Sequence, residues 1–507
     1  MPNGPNVGFI RPEVSSRLQK WRLVDDTIEG EDAVKARGET YLPKPETHVD
    51  ATLNEKIYGK YKTRAVFFPV AGRTLAGLCG QVFSKPVVVD VPETLKLLID
   101  DIDGGGTTLE QHSKRTLEAA LKKGRAGLLA DFPRTSATDE VVTLADLQAG
   151  RVRPRVLFYT SNQIINWRET NIGGETVLSL LVLCEEKIIE DDGFETKSSP
   201  RWRVYKINPE AGGVTVAVWK KADDASDQVS YVVDEPEATV YGANQKPLPK
   251  IPWAWVGASN NDSTVDDSPM YPISQLNVAH YRNSADYEQN LFLVGQATPV
   301  FTGLTNEWVE KHIKGKVTLG ASTPVSLPQG AAASLLQAQA NSLPMEGMKH
   351  KEDQMKAIGA KLIEPGAVQR TATEAEIEQT SEASVLSSVA KNVSAAYELA
   401  LRHCSAFVGE VAVADAVSVT LNSEFQISGL NAQERQEVMA AWQAGVLAWA
   451  EVREVYRRKN IATLDDDDAR TIIEQEGVSF GSGENGADAS GTDDTGTEGD
   501  TDDARDN

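Results

Sequence analysis

Residues Ser268–Phe301 read SPMYPISQLNVAHYRNSADYEQNLFLVGQATPVF, and the interpretation of the whole chain turns on this stretch. Ser268 and Pro269 stand where a helix start places a capping hydroxyl and a ring without an N–H. After Pro272, the residues Ile273, Leu276, His280, Tyr287 and Leu291 recur at helical spacing and predict one long helix to residue 294. Gly295 and Pro299 end it. The remaining surface, with Gln275, Asn277, Arg282, Asn283, Asp286 and Gln289, is polar without being a charged solvent face. A long helix with a narrow apolar stripe and a lining of amides suits packing among copies of itself better than one buried core.

Upstream, residues 152–256 are strand-like. RVLFYTSNQIINWRE, TVLSLLVLCEEKIIE, RWRVYKIN, VTVAVWKKA and IPWAWVGA are β-branched and aromatic, punctuated by Gly173-Gly174, Asp192-Gly193 and Gly212-Gly213. They predict a small antiparallel sheet unit. Before it, Val14, Leu18, Trp21 and Ile28 form a helical stripe, and Ala71 to Phe83 reads as a compact helix. Val87 to Val91 reads as an apolar strand, Leu109 to Lys123 as a helix closed by Gly124, and Leu128 to Ala130 as a strand. Downstream of Phe301, the chain is loop- and strand-like to residue 342, and a helix is predicted over Met345–Lys361. Thr373 and Glu376 form a capping box for another long helix whose stripe is Val385, Val389, Val393, Ala396 or Tyr397, and Ala400. Further helices are predicted over Asn431–Lys459 and Ala469–Glu476. The fold class is therefore α+β.

The chain of 507 residues is too long for one core, so more than one domain is expected. No run of about eighteen apolar residues exists, so no bilayer span is expected. The N-terminal MPNGPNVGFIRPE lacks the pattern of a secretory signal. Cys79, Cys184 and Cys404 are far apart and odd in number, which argues against a disulfide framework or a zinc site. The net charge of −23 argues against loose electrostatic capture of nucleic acid. Gly481–Asn507 holds nine acidic residues against Arg505 alone and is expected to be a disordered acidic tail.

Three blocks carry a resemblance. The first is Y-x-x-R…G-x-V-F-x-K-P: Tyr61, Arg64, Gly80, Val82, Phe83, Lys85 and Pro86. The second is G-R-A-G-L-L followed by D-x-P: Gly124 to Leu129, Asp131 and Pro133. The third is Ser268–Phe301 itself. In their order and spacing over residues 10–460 the chain resembles the portal proteins, or head-to-tail connectors, of tailed bacteriophages. The resemblance implies a ring, usually of twelve subunits, at one capsid vertex, through which double-stranded DNA is packaged and ejected. It implies a wing over residues 1–267, a first stem helix over 268–295, a clip over 296–342 and a second stem helix over 343–362. A channel loop over 363–372, a kinked helix and helical crown over 373–477, and the acidic tail over 478–507 complete the layout. The implied partners are the chain itself, the DNA, terminase, the major capsid protein, and head-completion or tail adaptor proteins. No membrane, no cofactor and no catalytic role are implied. The place is the virion, with assembly in the host cytoplasm.

A channel that passes long duplex must avoid deep electrostatic wells, because phosphate contacts by Lys and Arg accumulate. Acidic and amide walls let DNA slide, and a few basic positions act as brakes. Lys349, Lys351, Lys356 and Lys361, with Glu364, Gln369 and Arg370 of the channel loop, are the candidate channel-facing residues. Lys311, Lys314 and Lys316 are the candidates for facing partners at the clip, and Ile273, Leu276, Tyr287 and Leu291 for stem packing. The plainer reading of the lysines is solvated helix surface.

Other constellations are weak. Asp101, Asp103, Gly104 and Glu110 fall at calcium-loop positions, but Ile99 occupies the first ligand place, so an N-capping loop is expected. The GxxxxGK[ST] pattern is absent, so a separate terminase would power any DNA pumping. His403-Cys404 and the Asp465–Asp468 run are read as structural and solvated, and Trp202, Trp219, Trp253 and Trp255 as core or subunit contacts. Two alternatives remain beside the ring. One is a metal-dependent DNA-processing enzyme using Asp100, Asp101 and Asp103 or the Asp465–Asp468 cluster, and the other is a minor capsid adaptor without a channel.

Overall fold

At Gly124 the chain turns from helix into sheet. The helix Leu109–Lys123 starts with a reciprocal capping box between Thr108 and Gln111 and ends at Gly124, whose φ of 74° is left-handed. A Cβ at Gly124 would lie 2.4 Å from the carbonyl oxygen of Asp266, so only glycine fits. The strand Arg125–Asp131 follows and is buried along nearly its whole length. It is the centre of a three-stranded antiparallel sheet, flanked by Arg155–Thr160 and Trp253–Gly257. The computed structural model describes residues 5–45, 50–132, 153–208, 212–222, 230–242, 245–296, 298–313, 327–337, 339, 341–363, 384–409, 416–425, 432–458, 462 and 466–475.

The chain divides into two units, Met1–Phe425 and Gln426–Asn507. The first is α+β. Beside the three-stranded sheet lies a five-stranded antiparallel meander in chain order: Ile164–Ile172, Glu175–Asp191, Thr196–Asn208, Gly213–Lys221 and Tyr231–Thr239. The strand-like runs thus form two sheets, not the single unit expected. RVLFYT and IPWAWVGA pair with the distant Arg125–Asp131 strand, a non-local choice that the period-2 pattern does not encode. The apolar strand expected over Val87–Val91 is present as Val88–Asp90; it pairs with Ser418–Thr420 and is largely exposed.

The helix Val385–Val408 packs on the three-stranded sheet and on Leu109–Lys123. Ser384 caps it through the Ser387 N–H at 3.2 Å; Thr373 and Glu376 lie outside the described residues. Its buried face is broad, including Leu386, Ala390, Tyr397, Leu401 and Cys404, and Val385 is 40% exposed. It is a core helix, and the narrow stripe expected for it is corrected.

Two buried polar groups sit in this core. Nδ1 of His112 lies 2.6 Å from the Tyr397 hydroxyl, which lies 2.9 Å from Oγ1 of Thr116; Thr116 in turn donates to the His112 carbonyl at 3.0 Å. Burial pushes the His112 pKa down to about 4, against a smaller upward pull from Asp103. Arg125, 1% exposed, is held between the Trp167 and Trp255 rings, 3.9 Å from each centroid. Trp253 and Trp255 are core residues, as read, and Trp202 stands edge-on to Tyr231.

The second unit contains the helices Ala432–Gln443, Trp449–Arg458 and Asp466–Gln475. One continuous helix was expected across the first two; Gly445, with φ of 71°, interrupts it. No helix among the described residues is long and apolar enough to cross a membrane.

Candidate functional site

The amides of the Ser268–Phe301 stretch have a local job. The helix predicted there runs Tyr271–Val294. Its first half is buried by Ile273, Asn277, Val278, Tyr281 and Ala285 against the segments around Leu18–Glu29, Ala51–Arg64 and Val70–Val82. The non-helical stretch 65–69 crosses this face, and its backbone groups need partners. Asn277 supplies two: Nδ2 donates to the Phe68 carbonyl at 2.8 Å and Oδ1 accepts from the Ala71 N–H at 3.0 Å. Ser284 donates to the Val66 carbonyl at 2.6 Å, and Arg282 donates to the Tyr41 carbonyl at 2.7 Å. Tyr61 donates to Asp286 and Arg64 to Gln289, each at 2.6 Å. These last two contacts link the first sequence block to the third. Asn277, Arg282, Ser284, Asp286 and Gln289 thus find partners within one chain rather than in another copy, while Ser274 Oγ, His280 Nδ1 and Tyr281 Oη are buried without one.

The helix Leu343–Lys361 returns antiparallel alongside. Its start lies beside the far end of the first helix, where Asn290 donates to the Asn341 carbonyl at 3.1 Å. Its middle lies beside His280, whose Nε2 is 3.2 Å from Glu352 Oε1. Near its end, a Cβ at Gly359 would lie 3.9 Å from Ile273. At Gly347 a Cβ would fall 2.6 Å from Asn283 Nδ2, so this close approach depends on the missing side chain. Beyond the far end, Thr298–Thr302 and Ala332–Leu336 pair as an antiparallel ribbon, and Gln337 donates back to the Val294 carbonyl at 2.8 Å.

The two ends of this pair differ. Near the body it is rooted in the core; away from it, Leu291, Leu293, Leu335, Leu336 and Leu343 are each half or more exposed. The Arg64 guanidinium lies 3.6 Å over the Phe292 ring and covers part of it. Sequence reasoning missed Leu335, Leu336 and Leu343, whose only signal was apolar residues in an otherwise Gly/Ala/Gln-rich stretch. An exposed apolar band of this kind marks a surface that something else covers.

Of the candidate stem-packing residues, Ile273 is buried in the chain's own core, Leu276 packs partly against it, Tyr287 is half-buried and Leu291 is half exposed. Lys349, Lys356 and Lys361 are exposed and Lys351 is half-buried. Lys349 and Lys356, seven residues apart, share a face, whereas Lys351 lies about 200° around from Lys349 and Lys361 about 120°. The four do not make one stripe. Lys356 pairs with Asp353 at 3.0 Å on open surface, where such a pair contributes little. Lys311 is exposed. Lys314, Lys316, Glu364, Gln369 and Arg370 lie outside the described residues.

The Asp101 loop holds its own turn and caps no helix start, which corrects the N-capping expectation; Thr108 caps the helix that follows. Asp101 Oδ1 accepts from the Gly104 and Gly106 N–H groups at 2.8 and 3.0 Å, and its other oxygen pairs with Arg153. Asp103 accepts from the Gly105 N–H at 2.8 Å. Among the described residues no group of three or more His, Cys, Asp or Glu side chains converges as a metal site.

Residues 269–408 match a family described as domain of unknown function DUF4055. The match begins just before the Tyr271–Val294 helix and ends with the last residue of Val385–Val408. No curated protein matches the chain. Among solved structures, it is similar to a chain in the virion of a native gene transfer agent (GTA) particle. That pair is 13% identical over 84% of this chain and 98% of the other, with a TM-score of 0.38. A chain in the neck of the empty GTA particle, computed with C6 symmetry, is 13% identical over 78% and 92%, at a TM-score of 0.37. One in the neck of the native particle, computed with C12 symmetry, is 12% identical over 84% and 98%, at 0.34. TM-scores this low decide neither fold nor role.

Proposed function

We propose that this chain is a non-enzymatic subunit of a portal-type ring at one vertex of a phage-like particle. DNA passes through the ring during packaging and ejection, and the ring offers a docking face to terminase and to head-completion or tail proteins. One observation carries the reading: the antiparallel pair Tyr271–Val294 and Leu343–Lys361, rooted in the body at one end and bare, apolar and extended by a β-ribbon at the other. Leu291, Leu293, Leu335, Leu336 and Leu343, exposed together at one end of the pair, favour a surface that a partner covers. Copies set side by side around an axis cover these bands with each other, and unlike surfaces meeting head to tail close into a ring.

The electrostatics fit passage rather than capture. The net charge of −23 opposes a polyanion overall, while the outer face of Leu343–Lys361 mixes Lys349, Lys356 and Lys361 with Glu346 and Asp353. Such a wall offers a few separated phosphate contacts and no continuous basic track. The proposed layout keeps the stem helices in 268–295 and 343–362, the clip in 296–342 and the channel loop in 363–372.

Native mass spectrometry and negative-stain images of the purified full chain test this. Closed rings near twelve-fold, seen down their axis, are expected. A particle that stays monomeric across protein concentration and salt overturns the proposal, as does magnesium-dependent plasmid cleavage abolished by alanine at Asp100, Asp101 and Asp103.

A further inference from the structure

The strands Glu175–Asp191 and Thr196–Asn208 outrun their neighbours. Strand Ile164–Ile172 pairs no further than Leu183, and strand Gly213–Lys221 no further than Arg201. Beyond those points residues 186–198 form a two-stranded ribbon, every residue exposed, reaching about 20 Å at the usual rise of a strand. Its tip is tied by its own carboxylates. Asp191 accepts from the Gly193 N–H at 2.8 Å, and Asp192 accepts from the N–H groups of Phe194 at 2.8 Å and Glu195 at 2.5 Å. Gly193 takes a φ of 89°, which the turn requires. The result presents Phe194 at 102% exposure, behind it Ile188 and Ile189 at 59% and 50%. A bare two-stranded ribbon is marginal in water, and one tipped with a phenyl ring is built to meet a surface.

A matching surface exists on the same unit. The helix Ala51–Arg64 carries an open groove of about 510 Å³ lined by Leu53, Ile57 and Gly59, with Lys56, Lys60 and Arg64 beside them. These residues recur along one helical face, and the space in front of Gly59 is empty to 4 Å. The floor is apolar and the rim carries the cations Lys56 and Lys60, with Arg64 at its end held by Gln289 and Phe292. The ribbon tip carries Glu190, Asp191, Asp192 and Glu195 around its phenyl ring, with Lys197 engaged by Glu190 at 2.6 Å. Shape class and charge sign are complementary.

We propose that the 186–198 ribbon of one copy docks in the Ala51–Arg64 groove of the next, Phe194 against Leu53 and Ile57, the tip carboxylates facing Lys56 and Lys60. This rests on the ring reading and supplies its head-to-tail contact. A second copy is the partner that always carries the other half. Knob and socket occupy different parts of the surface, so the contact is heterologous and propagates until it closes.

Full-length Phe194→Cys and Ile57→Cys chains, mixed and mildly oxidised, test it. Cys79 and Cys404 are buried and Cys184 is half-buried, so the introduced thiols are the most accessible cysteines among the described residues. The mixture is expected to give a covalent dimer, neither single variant alone should give one, and a chain carrying both should give a ladder. In parallel, Phe194→Glu should weaken association roughly tenfold to a hundredfold, the worth of burying one phenyl ring. Glu190→Lys with Glu195→Lys, which leaves the aspartate-tied turn intact, should also weaken association, and adding Lys56→Glu and Lys60→Glu should restore it. Wild-type rings that form without the cross-link, and survive Phe194→Glu, overturn the docking and leave the ring reading standing. Absence of any wild-type ring overturns both. A cross-link confined to one chain overturns the docking, as does loss of binding to a purified capsid protein while rings persist.

Discussion

Acid should weaken this protein through one imidazole. His112 is 1% exposed, and burial holds its pKa at about 4, below the ordinary 6.5. As the pH falls through 6.5, the unfolded chain takes up a proton there and the folded chain does not, so the unfolded state gains. Stability from this group is whole above 6.5, declines as the pH falls toward 4, and declines no further below it. The linkage relation with these two values gives a loss of about 2 kcal/mol between about pH 7 and about pH 5. His112→Asn is the informative variant, because its amide nitrogen falls near the place of Nδ1 and keeps a donor toward Tyr397 while removing the titration. Urea unfolding followed by near-ultraviolet circular dichroism, with both proteins in one oligomeric state, measures the loss at the two pH values. Carboxylates shared by both proteins cancel in the difference. Wild type should lose about 2 kcal/mol more than the variant over this interval. Equal losses would refute the argument that burial of this ring governs the response.

Glycine substitutions should split by what a Cβ meets. At Gly127 it would come 1.9 Å from the Trp253 ring, so Gly127→Ala should cost about 3 kcal/mol or more in urea unfolding. At Gly77, inside Val70–Val82 with nothing within 4 Å, Gly77→Ala should stabilise by about 0.5–1 kcal/mol. Leu276→Asp should destabilise the monomer by about 2 kcal/mol, because that side chain packs partly on the core. Leu291→Asp should leave monomer unfolding within about 0.5 kcal/mol yet lower ring yield; wild-type yield would remove Leu291 from the subunit contact. Deleting 481–507 should leave ring assembly intact by native mass spectrometry, and loss of rings would give the acidic tail a structural part.

Local signals were legible and non-local ones were not. The helix Leu109–Lys123 was read to its end residues because a capping box and a left-handed glycine mark its two ends. The helix Tyr271–Val294 was found within a residue from its periodicity and Pro272 alone: Ser268 donates to the Lys122 carbonyl instead of capping it, Gly295 is right-handed, and the partner of its amides was not legible. An amide-lined helix looks the same in sequence whether Asn277 faces another copy or the chain's own Phe68 and Ala71. IPWAWVGA announces a strand, yet nothing in it says that it pairs with Arg125–Asp131 across more than a hundred residues. The breadth of the Val385–Val408 apolar face was underestimated because its alanines, serine and cysteine count weakly in a stripe, although Ala390, Ala396, Cys404 and Ser405 are all buried.

The single stripe drawn along the long helix concealed a division of labour. Two of its buried polar groups, Asn277 and Ser284, lie where the body covers the helix and bind backbone at residues 66–71. The other half ends in Leu291, Phe292, Leu293 and Val294, four apolar residues in succession. At about 100° per residue, such a run faces almost every direction around the helix. The returning helix and the Arg64 guanidinium each cover only one side, and three of the four remain more than a third exposed. A dimer would cover one further side. The proposed ring would give every copy a neighbour on each flank, and so would cover the sides that the returning helix and Arg64 leave open.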